Sequence, residues 1–170
     1  AALFGGGSEA LTLINPISAD LDIMRPSLLP NLIAAAGRNA DRGITVAGLF
    51  EIGPRFSGAK PEDQDIVAGG IRSGMTGPRN WAEPPRPVDL FDAKADALAV
   101  LAGLGLQVDK IEAAAEAPEW YHPGHSGVLR LGPKMILAHF GDIHPRVLKD
   151  MGVKGPVCGF EVFFDALPGQ

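Results

Sequence analysis

The segment that decides the predicted fold is Leu129-Arg130-Leu131-Gly132-Pro133-Lys134-Met135-Ile136-Leu137-Ala138-His139-Phe140. Residues that favour strands flank a Gly-Pro turn, which is the pattern of a β-hairpin. A hairpin is antiparallel, and neither it nor the short connections in this chain can be the crossovers that parallel strands need. The segment therefore predicts a mostly antiparallel sheet.

Four other segments, met by working outward from the hairpin, are also rich in strand-forming residues. They cover residues 11–14, 45–52, 66–71 and 157–164, and with the two arms of the hairpin they predict about six strands. The strand at 45–52 is expected to end at Gly53-Pro54, because proline removes a donor from the hydrogen-bond ladder.

Three segments carry helical signals. Ser27 and Asp89 stand where N-caps are expected, and His144 is expected to cap a short helix at 145–151. The apolar stripes predicted for the first two helices are Leu29, Leu32, Ile33 and Ala36, and Phe91, Ala95, Leu98 and Leu101. We therefore predict an α/β (α+β) protein in which helices pack on one face of the sheet.

Composition restricts the possible classes of protein. The chain has 170 residues, 46% of them hydrophobic and 21% charged, which suits a single domain over 1–170 with an irregular N-terminal edge at 1–10. A formal net charge of −5 disfavours a broad electrostatic grip on nucleic acid. The single cysteine, Cys158, suits a reducing compartment such as the cytoplasm. No apolar run approaches the roughly 20 residues of a membrane helix, so no membrane partner is expected.

Four histidines in the C-terminal half raise the question of a metal site. They are His122, His125, His139 and His144. Their spacing fits no common zinc site. We predict instead that the first two lie in a turn, that His139 is hydrogen-bonded in the core, and that His144 caps a helix. A metal hydrolase that uses these histidines stays open as an alternative.

Two groups of charged residues are interpreted as solvated faces. The segment 120–154 holds five Lys or Arg against two acids, and Asp89, Asp92 and Asp96 share one predicted helix face. No aromatic stacking platform accompanies the basic segment, and no second set of ligands accompanies the carboxylates.

Seven short stretches form an ordered series along the chain. They are Leu13-Ile14-Asn15-Pro16-Ile17-Ser18, Met24-Arg25-Pro26-Ser27-Leu28-Leu29-Pro30-Asn31-Leu32, Leu49-Phe50-Glu51-Ile52-Gly53, Val88-Asp89-Leu90-Phe91-Asp92-Ala93-Lys94, His122-Pro123-Gly124, Gly141-Asp142-Ile143-His144-Pro145 and Phe160-Glu161-Val162. In this order they resemble the β-subunit family of bacterial phenylalanyl-tRNA synthetases. The resemblance runs from about Leu13 to Leu167, nearly the whole chain.

The resemblance implies the catalytic-like module of that subunit, with a class II aminoacyl-tRNA synthetase fold built on an antiparallel sheet flanked by helices. In this family two α and two β subunits assemble, and the module pairs with the catalytic α subunit. ATP and Mg²⁺ are then expected in the α subunit and no cofactor in this chain, with tRNA as a partner of the holoenzyme. The resemblance also implies that this stretch lacks the editing, tRNA-binding and anticodon-binding modules of the full β subunit.

The resemblance also implies a loss of catalysis. In class II synthetases an Arg just past the Phe that follows a Phe-Glu-Ile-Gly-like strand clamps the ATP α-phosphate, and here Ser57 holds that position. Arg55 precedes Phe56 by one residue and is expected on the opposite side of the strand from it. The last strand and the residues up to Gln170 contain no Arg, although the family fold places a second ATP-binding Arg near the C-terminus. We therefore expect a noncatalytic assembly module.

An alternative is a self-sufficient, ATP-dependent acyl-activating enzyme that uses Arg72 or Arg79 as its clamp. The sequence also departs from the family pattern at three places, with His125 where Arg is usual, Ala95 for Gly and Asp142 for Glu. These departures leave the order of the stretches unchanged.

The N-terminal half supplies the candidate interface, because the class II fold builds its subunit contact from its N-terminal helix and strand. The candidate interface residues are Asn15, Pro16, Met24, Arg25 and Pro26. An isolated chain is also expected to self-associate through surface that the α subunit normally covers.

Overall fold

The computed structural model describes residues 2–6, 11–14, 16, 22–78 and 81–168. Its strands are β1 (Ala47–Phe56), β2 (Gln64–Ser73), β3 (Glu112–Ala114), β4 (Tyr121–Leu131), β5 (Met135–Ile143) and β6 (Val157–Phe163), and its α-helices are α1 (Leu29–Asp41), α2 (Leu90–Gly103) and α3 (Pro145–Asp150). The strands form one antiparallel sheet in the order β1-β2-β6-β5-β4-β3, which confirms the predicted sheet. No described helix is long and apolar enough to cross a membrane.

The predicted hairpin is confirmed, and both of its arms are longer than predicted. Strands β4 and β5 pair with Leu131 opposite Met135, and Gly132 takes the left-handed backbone conformation of the turn, with φ of 68°. Strand β4 begins at Tyr121, so the turn predicted for the first two histidines is wrong. A register shift between Tyr121 and Ser126 accommodates the Pro-Gly pair inside the strand, as a β-bulge does.

The predicted end of β1 at Gly53-Pro54 is also wrong, since the strand continues to Phe56. Strand β1 is an edge strand, and Pro54 lies opposite Ile66 of β2. The Pro54 carbonyl points away from β2, where it accepts a hydrogen bond from Arg25 Nε at 2.9 Å. The position where proline lacks an N–H therefore faces the free edge of the sheet, where no ladder bond is lost.

The strand predicted at 11–14 is not present as a sheet strand. Thr12 forms one isolated bridge with Ile23, flanked by hydrogen bonds from Leu13 N to Asp22 O at 2.6 Å and from Met24 N to Leu11 O at 2.8 Å. The segment pairs with the chain that follows shortly after it, so its ladder lies outside the six-stranded sheet.

Helix α1 buries the predicted stripe of Leu29, Leu32, Ile33 and Ala36. Its N-cap residue is Leu28, while the Ser27 hydroxyl accepts a hydrogen bond from the Leu29 N–H at 3.1 Å. The predicted polar contact at the start of the helix is present, one residue earlier than the N-cap position.

Helix α2 has the predicted cap and a different buried face. The Asp89 carboxylate accepts hydrogen bonds from the N–H groups of Phe91 and Asp92, whereas the buried residues are Ala93, Ala97 and Leu101 and Phe91 is 65% exposed. The face that meets the sheet is therefore formed by Ala93, Ala97 and Leu101. Alanine on the inner face lets the helix approach the sheet closely.

The helices lie on both faces of the sheet, so the prediction of a single covered face is wrong. Helix α1 packs with Ile71 of β2 and Ile143 of β5, whereas α2 packs with Ala68 of β2 and Phe160 of β6. All seven residues of β6 are buried. A central strand with apolar side chains on both sides needs a layer over each face, which explains the arrangement.

Candidate functional site

An apolar groove lies beside the edge strand β1, on the face of the sheet that carries α2. We call it the edge groove; its volume is about 570 Å³. Glycines of β1 and β2 leave its floor without side chains, and its apolar walls come from β1, α2 and β6: the floor is Gly48 and Gly70, and the walls are Phe50, Ile52, Leu104 and Phe160.

The β1 side of the edge groove is open to solvent. Phe50 is 79% exposed and Ile52 is 60% exposed, although both are large apolar residues in a regular strand. Val46, in the residues just before β1, is 42% exposed. Exposed apolar residues that share one side of a strand form a contiguous patch, and such a patch is typical of an interaction surface.

The backbone edge of β1 is open at the same place. Phe56 N and Pro54 O point away from β2, since both bond to Arg25, and successive residues of a strand alternate in direction. The N–H and C=O groups of Gly48, Phe50 and Ile52 therefore point to the same free edge. Within the described ranges no backbone group pairs with them there. An edge of this kind is a template for an added strand.

The N-terminal segment, residues 22–26, covers the other end of this edge. Arg25 holds it there through hydrogen bonds and an ion pair with β1. Arg25 Nη1 lies 2.7 Å from Glu51 Oε1, and the Arg25 carbonyl accepts the Phe56 N–H at 2.9 Å. A Cβ added to Gly53 would lie 2.5 Å from Arg25 Nη2, so a side chain at this position would displace the guanidinium. Among the interface residues predicted from the sequence, Arg25 thus makes contacts within the chain.

The other predicted interface residues divide into two groups. Pro16 is exposed, and Met24 and Pro26 are half-buried beside Arg25. Asn15 lies outside the described residues. The structure therefore brings Met24, Arg25 and Pro26 to the end of the same strand whose apolar residues open onto the edge groove.

Arg72 and Asp96 are the charged residues among the described lining of the edge groove. Arg72 donates from Nε to Asp96 Oδ2 at 2.6 Å and from Nη2 to Asp96 Oδ1 at 2.8 Å, so its guanidinium is held by a bidentate pair. Hydrogen bonding to Asp96 raises the pKa of Arg72. A triphosphate needs free cations, and the described residues of this groove do not fit one.

Arg55 lies on the opposite face of the strand from Phe50 and Ile52. Its Nε and Nη2 donate to Asp65 Oδ2 at 3.2 and 3.0 Å, and its guanidinium carbon lies 4.2 Å from the centre of the Phe163 ring. Ser57 donates its hydroxyl to Asp63 O at 3.1 Å. Arg79 lies outside the described residues.

The acidic face predicted for α2 is not simply solvated. Besides the Arg72–Asp96 pair, Arg86 Nη2 lies 2.7 Å from Asp92 Oδ1. The hydrogen bond from Arg86 lowers the pKa of the Asp92 carboxyl. These pairs tie α2 to the sheet and to the loop before it, which the spacing of the acids could not reveal.

Glu161 is the one buried carboxylate within the described ranges, at 1% exposure in the middle of β6. Its Oε1 accepts hydrogen bonds from Ser27 Oγ and Leu28 N, both at 2.9 Å. Burial raises the pKa of this carboxyl. Glu161 thus joins the centre of the sheet to the start of α1. The sequence shows only an acid between apolar strand residues. Its contacts with Ser27 and Leu28 could not be predicted from it, because those residues are more than 130 positions away.

Three of the four histidines come together. The ring centres of His122 and His125 are 4.5 Å apart, those of His122 and His144 are 6.0 Å apart, and His144 Nδ1 accepts the Arg146 N–H as its predicted cap requires. Within the described ranges, no group of three or more His, Cys, Asp or Glu side chains is placed to hold a metal ion. The structure therefore offers no support for the metal hydrolase.

His139 is separate from this cluster. Its ring meets that of Phe163 edge-on, with centres 4.8 Å apart, and its buried Nδ1 has no hydrogen-bond partner. Burial lowers the pKa of His139 to about 4, so the ring is neutral at pH 7. The hydrogen bond predicted for this core histidine is therefore not found at Nδ1.

Two of the positions that depart from the family pattern contact each other. His125 Nδ1 lies 3.0 Å from Asp142 Oδ2 across the β4–β5 pair. Burial raises the pKa of the Asp142 carboxyl, and the His125 imidazole opposes that shift. The two departures are 17 residues apart in sequence, and only the strand pairing brings them into contact.

Comparison with known proteins agrees with this fold. Residues 3–164 match the family described as "Phenylalanyl tRNA synthetase beta chain CLM domain". A pyrrolysyl tRNA synthetase from Desulfitobacterium hafniense has a similar structure, with a TM-score of 0.63 and 18% identity over 89% of this chain and 50% of that one. At this identity the likeness concerns the fold, which is that of a class II synthetase.

Sequence relatives are closer. The phenylalanine–tRNA ligase beta subunit of Paramagnetospirillum magneticum is 57% identical over 170 residues, which are 100% of this chain and 21% of that one. The corresponding subunit of Rhodospirillum rubrum is 56% identical over 97% of this chain and 20% of its own length. The chain thus spans about a fifth of the length of these curated relatives. It belongs to the phenylalanyl-tRNA synthetase β chain family, within the part described as the CLM domain.

Proposed function

We propose that this chain is a noncatalytic assembly module of a phenylalanine–tRNA ligase β subunit, which pairs with the catalytic α subunit in phenylalanyl-tRNA aminoacylation. The observation that carries the proposal is the open edge of β1, where exposed Phe50 and Ile52 accompany unpaired backbone groups. Residues 1–170 form a single core domain of the larger subunit. The module holds no cofactor, and ATP and Mg²⁺ belong to the α subunit.

The proposed lack of catalysis rests on how the guanidinium groups are used. Arg72 is paired with Asp96, Arg55 with Asp65, and Ser57 replaces the Arg that clamps the nucleotide in class II synthetases. Removal of one donor that stabilises a transition state costs roughly 3–4 kcal/mol in well-studied enzymes. The described residues around the edge groove therefore favour a scaffold over an adenylate-forming site.

The interface extends from the edge groove to the N-terminal segment. Met24 and Pro26 provide surface beside β1, because Arg25 between them holds the segment against the strand through Glu51 and Pro54. Asn15 and Pro16 extend the proposed interface by their sequence position. Arg25 is thus a positioning residue for the interface. In the holoenzyme tRNA is a further partner, the complex is cytoplasmic, and the isolated chain self-associates through the surface left uncovered.

The experiment that tests the proposal is copurification of this chain with its cognate α subunit. Phe50→Lys and Ile52→Lys place charges on the exposed side of β1, where they leave the buried core intact, and each is expected to reduce capture of the α subunit at least about tenfold. Ile136→Lys is the matched control, since Ile136 is a part-exposed strand residue on β5. Equal capture by all variants would remove β1 from the interface.

A second measurement addresses catalysis directly. Calorimetry with ATP and Mg²⁺, and phenylalanine-dependent pyrophosphate exchange, are expected to give no signal from this chain without the α subunit. Micromolar ATP binding that Arg72→Ala abolishes would favour the self-sufficient acyl-activating enzyme instead. The same exchange assay on the assembled complex is the positive control.

A further inference from the structure

A second groove lies on the other side of the sheet from the edge groove, and two of the three clustered histidines, His122 and His125, line it. We call it the histidine groove; its volume is about 610 Å³, and it lies between the β4–β5 strands, α3 and the connection from α3 to β6. Its ionisable lining residues, within the described ranges, are His122, His125, Asp142, Lys149 and Lys154. The proposed assembly function uses none of them.

Backbone hydrogen bonds select the tautomers of two imidazoles at this groove. His122 Nδ1 accepts the Gly124 N–H at 3.1 Å, and His144 Nδ1 accepts the Arg146 N–H at 3.1 Å. In the neutral ring a nitrogen that accepts cannot carry the proton, so Nε2 carries it in both residues. Each of these histidines therefore presents an N–H donor at its other end without having to be charged.

His125 has the opposite tautomer from His122 and His144. Its Nδ1 lies 3.0 Å from Asp142 Oδ2, so Nδ1 carries a proton and Nε2 is left toward solvent. Its ring lies 4.5 Å from that of His122 between centres. The two imidazoles can therefore contact one ligand, with His122 Nε2–H as a donor.

The charges around the groove favour an anion. Lys149 and Lys154 outnumber the single lining carboxylate, Asp142, which is already engaged by His125. Asp89 at the start of α2 acts on Asp142 through space, while His144 is the remaining titratable group packed against the cluster. The local excess of positive charge stands out in a chain whose formal net charge is −5.

The rest of the lining is apolar. Ile143, Leu148, Val153 and Val157 contribute to it, together with Pro145 and Pro156. A ligand that fills this space needs an apolar or planar body next to its anionic group. An inorganic anion without an apolar group would make no favourable contact with these apolar walls.

We propose that the histidine groove binds a phosphate-bearing ligand, whose oxyanion is held by His122, His125, Lys149 and Lys154 and whose apolar body rests on the walls around Leu148. The shared chemistry is a phosphate group; a small phosphate monoester and a nucleic acid are its two possible sources. This site is independent of the assembly surface, since the two grooves share no lining residue in the described chain.

The experiment is a titration of the full 170-residue chain, ¹⁵N-labelled at histidine, with phenyl phosphate, inorganic phosphate and a short single-stranded RNA at constant ionic strength. Ring-nitrogen spectra are expected to show Nε2–H tautomers for His122 and His144 before addition. Phenyl phosphate should then shift His122 and His125 saturably, about tenfold more tightly than inorganic phosphate. His139, which faces the Phe163 ring, is the internal reference and should not shift.

Substitutions distinguish a specific binding site from nonspecific electrostatic attraction. The double variant Lys149→Ala/Lys154→Ala should weaken phenyl phosphate binding at least about tenfold, while Lys134→Ala, in the turn of the β4–β5 hairpin, should leave it unchanged within about twofold. His125→Asn should weaken phenyl phosphate binding, and His125→Arg should restore it, because the guanidinium supplies N–H donors and a positive charge at this position.

The outcomes are distinct. RNA that binds more tightly than phenyl phosphate, with the same dependence on Lys149 and Lys154, identifies nucleic acid as the source; weaker RNA binding identifies a small monoester, and either supports the site. Shifts that do not saturate, or that Lys134→Ala reduces as much as the groove variants do, overturn the proposal. Loss of α-subunit capture by the β1 variants has no bearing on this result.

Discussion

At the scale of single residues, the buried carboxyl of Glu161 links the sheet to α1. The neutral form can still accept hydrogen bonds from Ser27 and Leu28 through its carbonyl oxygen, and burial disfavours the charged form. Since the folded state raises the pKa of Glu161 above the unfolded value near 4.5, this group's stabilising contribution is complete below that pH and is lost as pH rises through the folded pKa.

Two substitutions of Glu161 are therefore expected to differ. Glu161→Gln keeps the acceptor without a charge, so its stability relative to the parent chain should improve from pH 5 to pH 8. Glu161→Ala leaves the Ser27 hydroxyl and the Leu28 N–H without a partner and should cost about 2–3 kcal/mol. Urea unfolding at the two pH values measures both. Equal losses of unfolding free energy for the Gln and Ala variants would show that the hydrogen bonds from Ser27 and Leu28 to residue 161 do not stabilise the fold.

His139 gives the opposite dependence on pH. Burial, with a smaller contribution from Arg55, lowers the pKa of its imidazole from 6.5 to about 4. The unfolded chain therefore binds the proton more tightly, so stability is complete above pH 6.5 and declines as pH falls toward 4, by up to about 3 kcal/mol from this group. His139→Leu should reduce that decline in acid unfolding curves. If the parent chain and the variant lost stability equally as the pH falls, the lowered pKa of His139 would be contradicted.

At the scale of elements, β1 and β2 illustrate how one strand pair can be tightly constrained on one side and open on the other. A Cβ added to Gly70 would lie 2.6 Å from the Phe160 ring, whereas one added to Gly48 meets nothing within 4 Å. Both glycines are on the floor of the edge groove, yet only Gly70 is required for packing.

This pair provides a matched test of the groove. Gly70→Ala should destabilise the fold by about 1–3 kcal/mol through displacement of Phe160, and Gly48→Ala should change stability by less than about 1 kcal/mol. Thermal unfolding of the two variants measures the difference. Similar destabilisation by both would indicate that β1 is packed against something on this face.

Helix signals were readable at the level of elements because they are local. The Asp89 cap, the Leu29 to Ala36 stripe and the His144 cap depend on spacings of a few residues, and all three are present. The buried face of α2 was not readable, because it depends on which side of the helix packs on the distant strands β5 and β6. Likewise the extent of β1 depends on Arg25, which binds the carbonyl of Pro54.

At the scale of the whole molecule, the uncovered edge of β1 predicts self-association of the isolated chain. Phe50 and Ile52 leave apolar surface in water, and burial of such surface favours association by about 25 cal/mol per Å² before the costs of association. Analytical ultracentrifugation should show a concentration-dependent oligomer that Phe50→Lys weakens. Ile136→Lys is the control, and an oligomer unaffected by Phe50→Lys would place the contact elsewhere.

The sequence by itself determined the antiparallel sheet, the three α-helices among the described residues and the family, because turns, caps, periodicity and ordered motifs are written in neighbouring residues. Only the tertiary structure decided that the helices cover both faces, that His125 meets Asp142, that Glu161 anchors α1, and that the edge of β1 stays open. Each of these depends on contacts between residues far apart in sequence or on the lack of a neighbouring strand. The spacing of neighbouring residues cannot predict such contacts or an open strand edge, since both are set by the packing of the whole sheet.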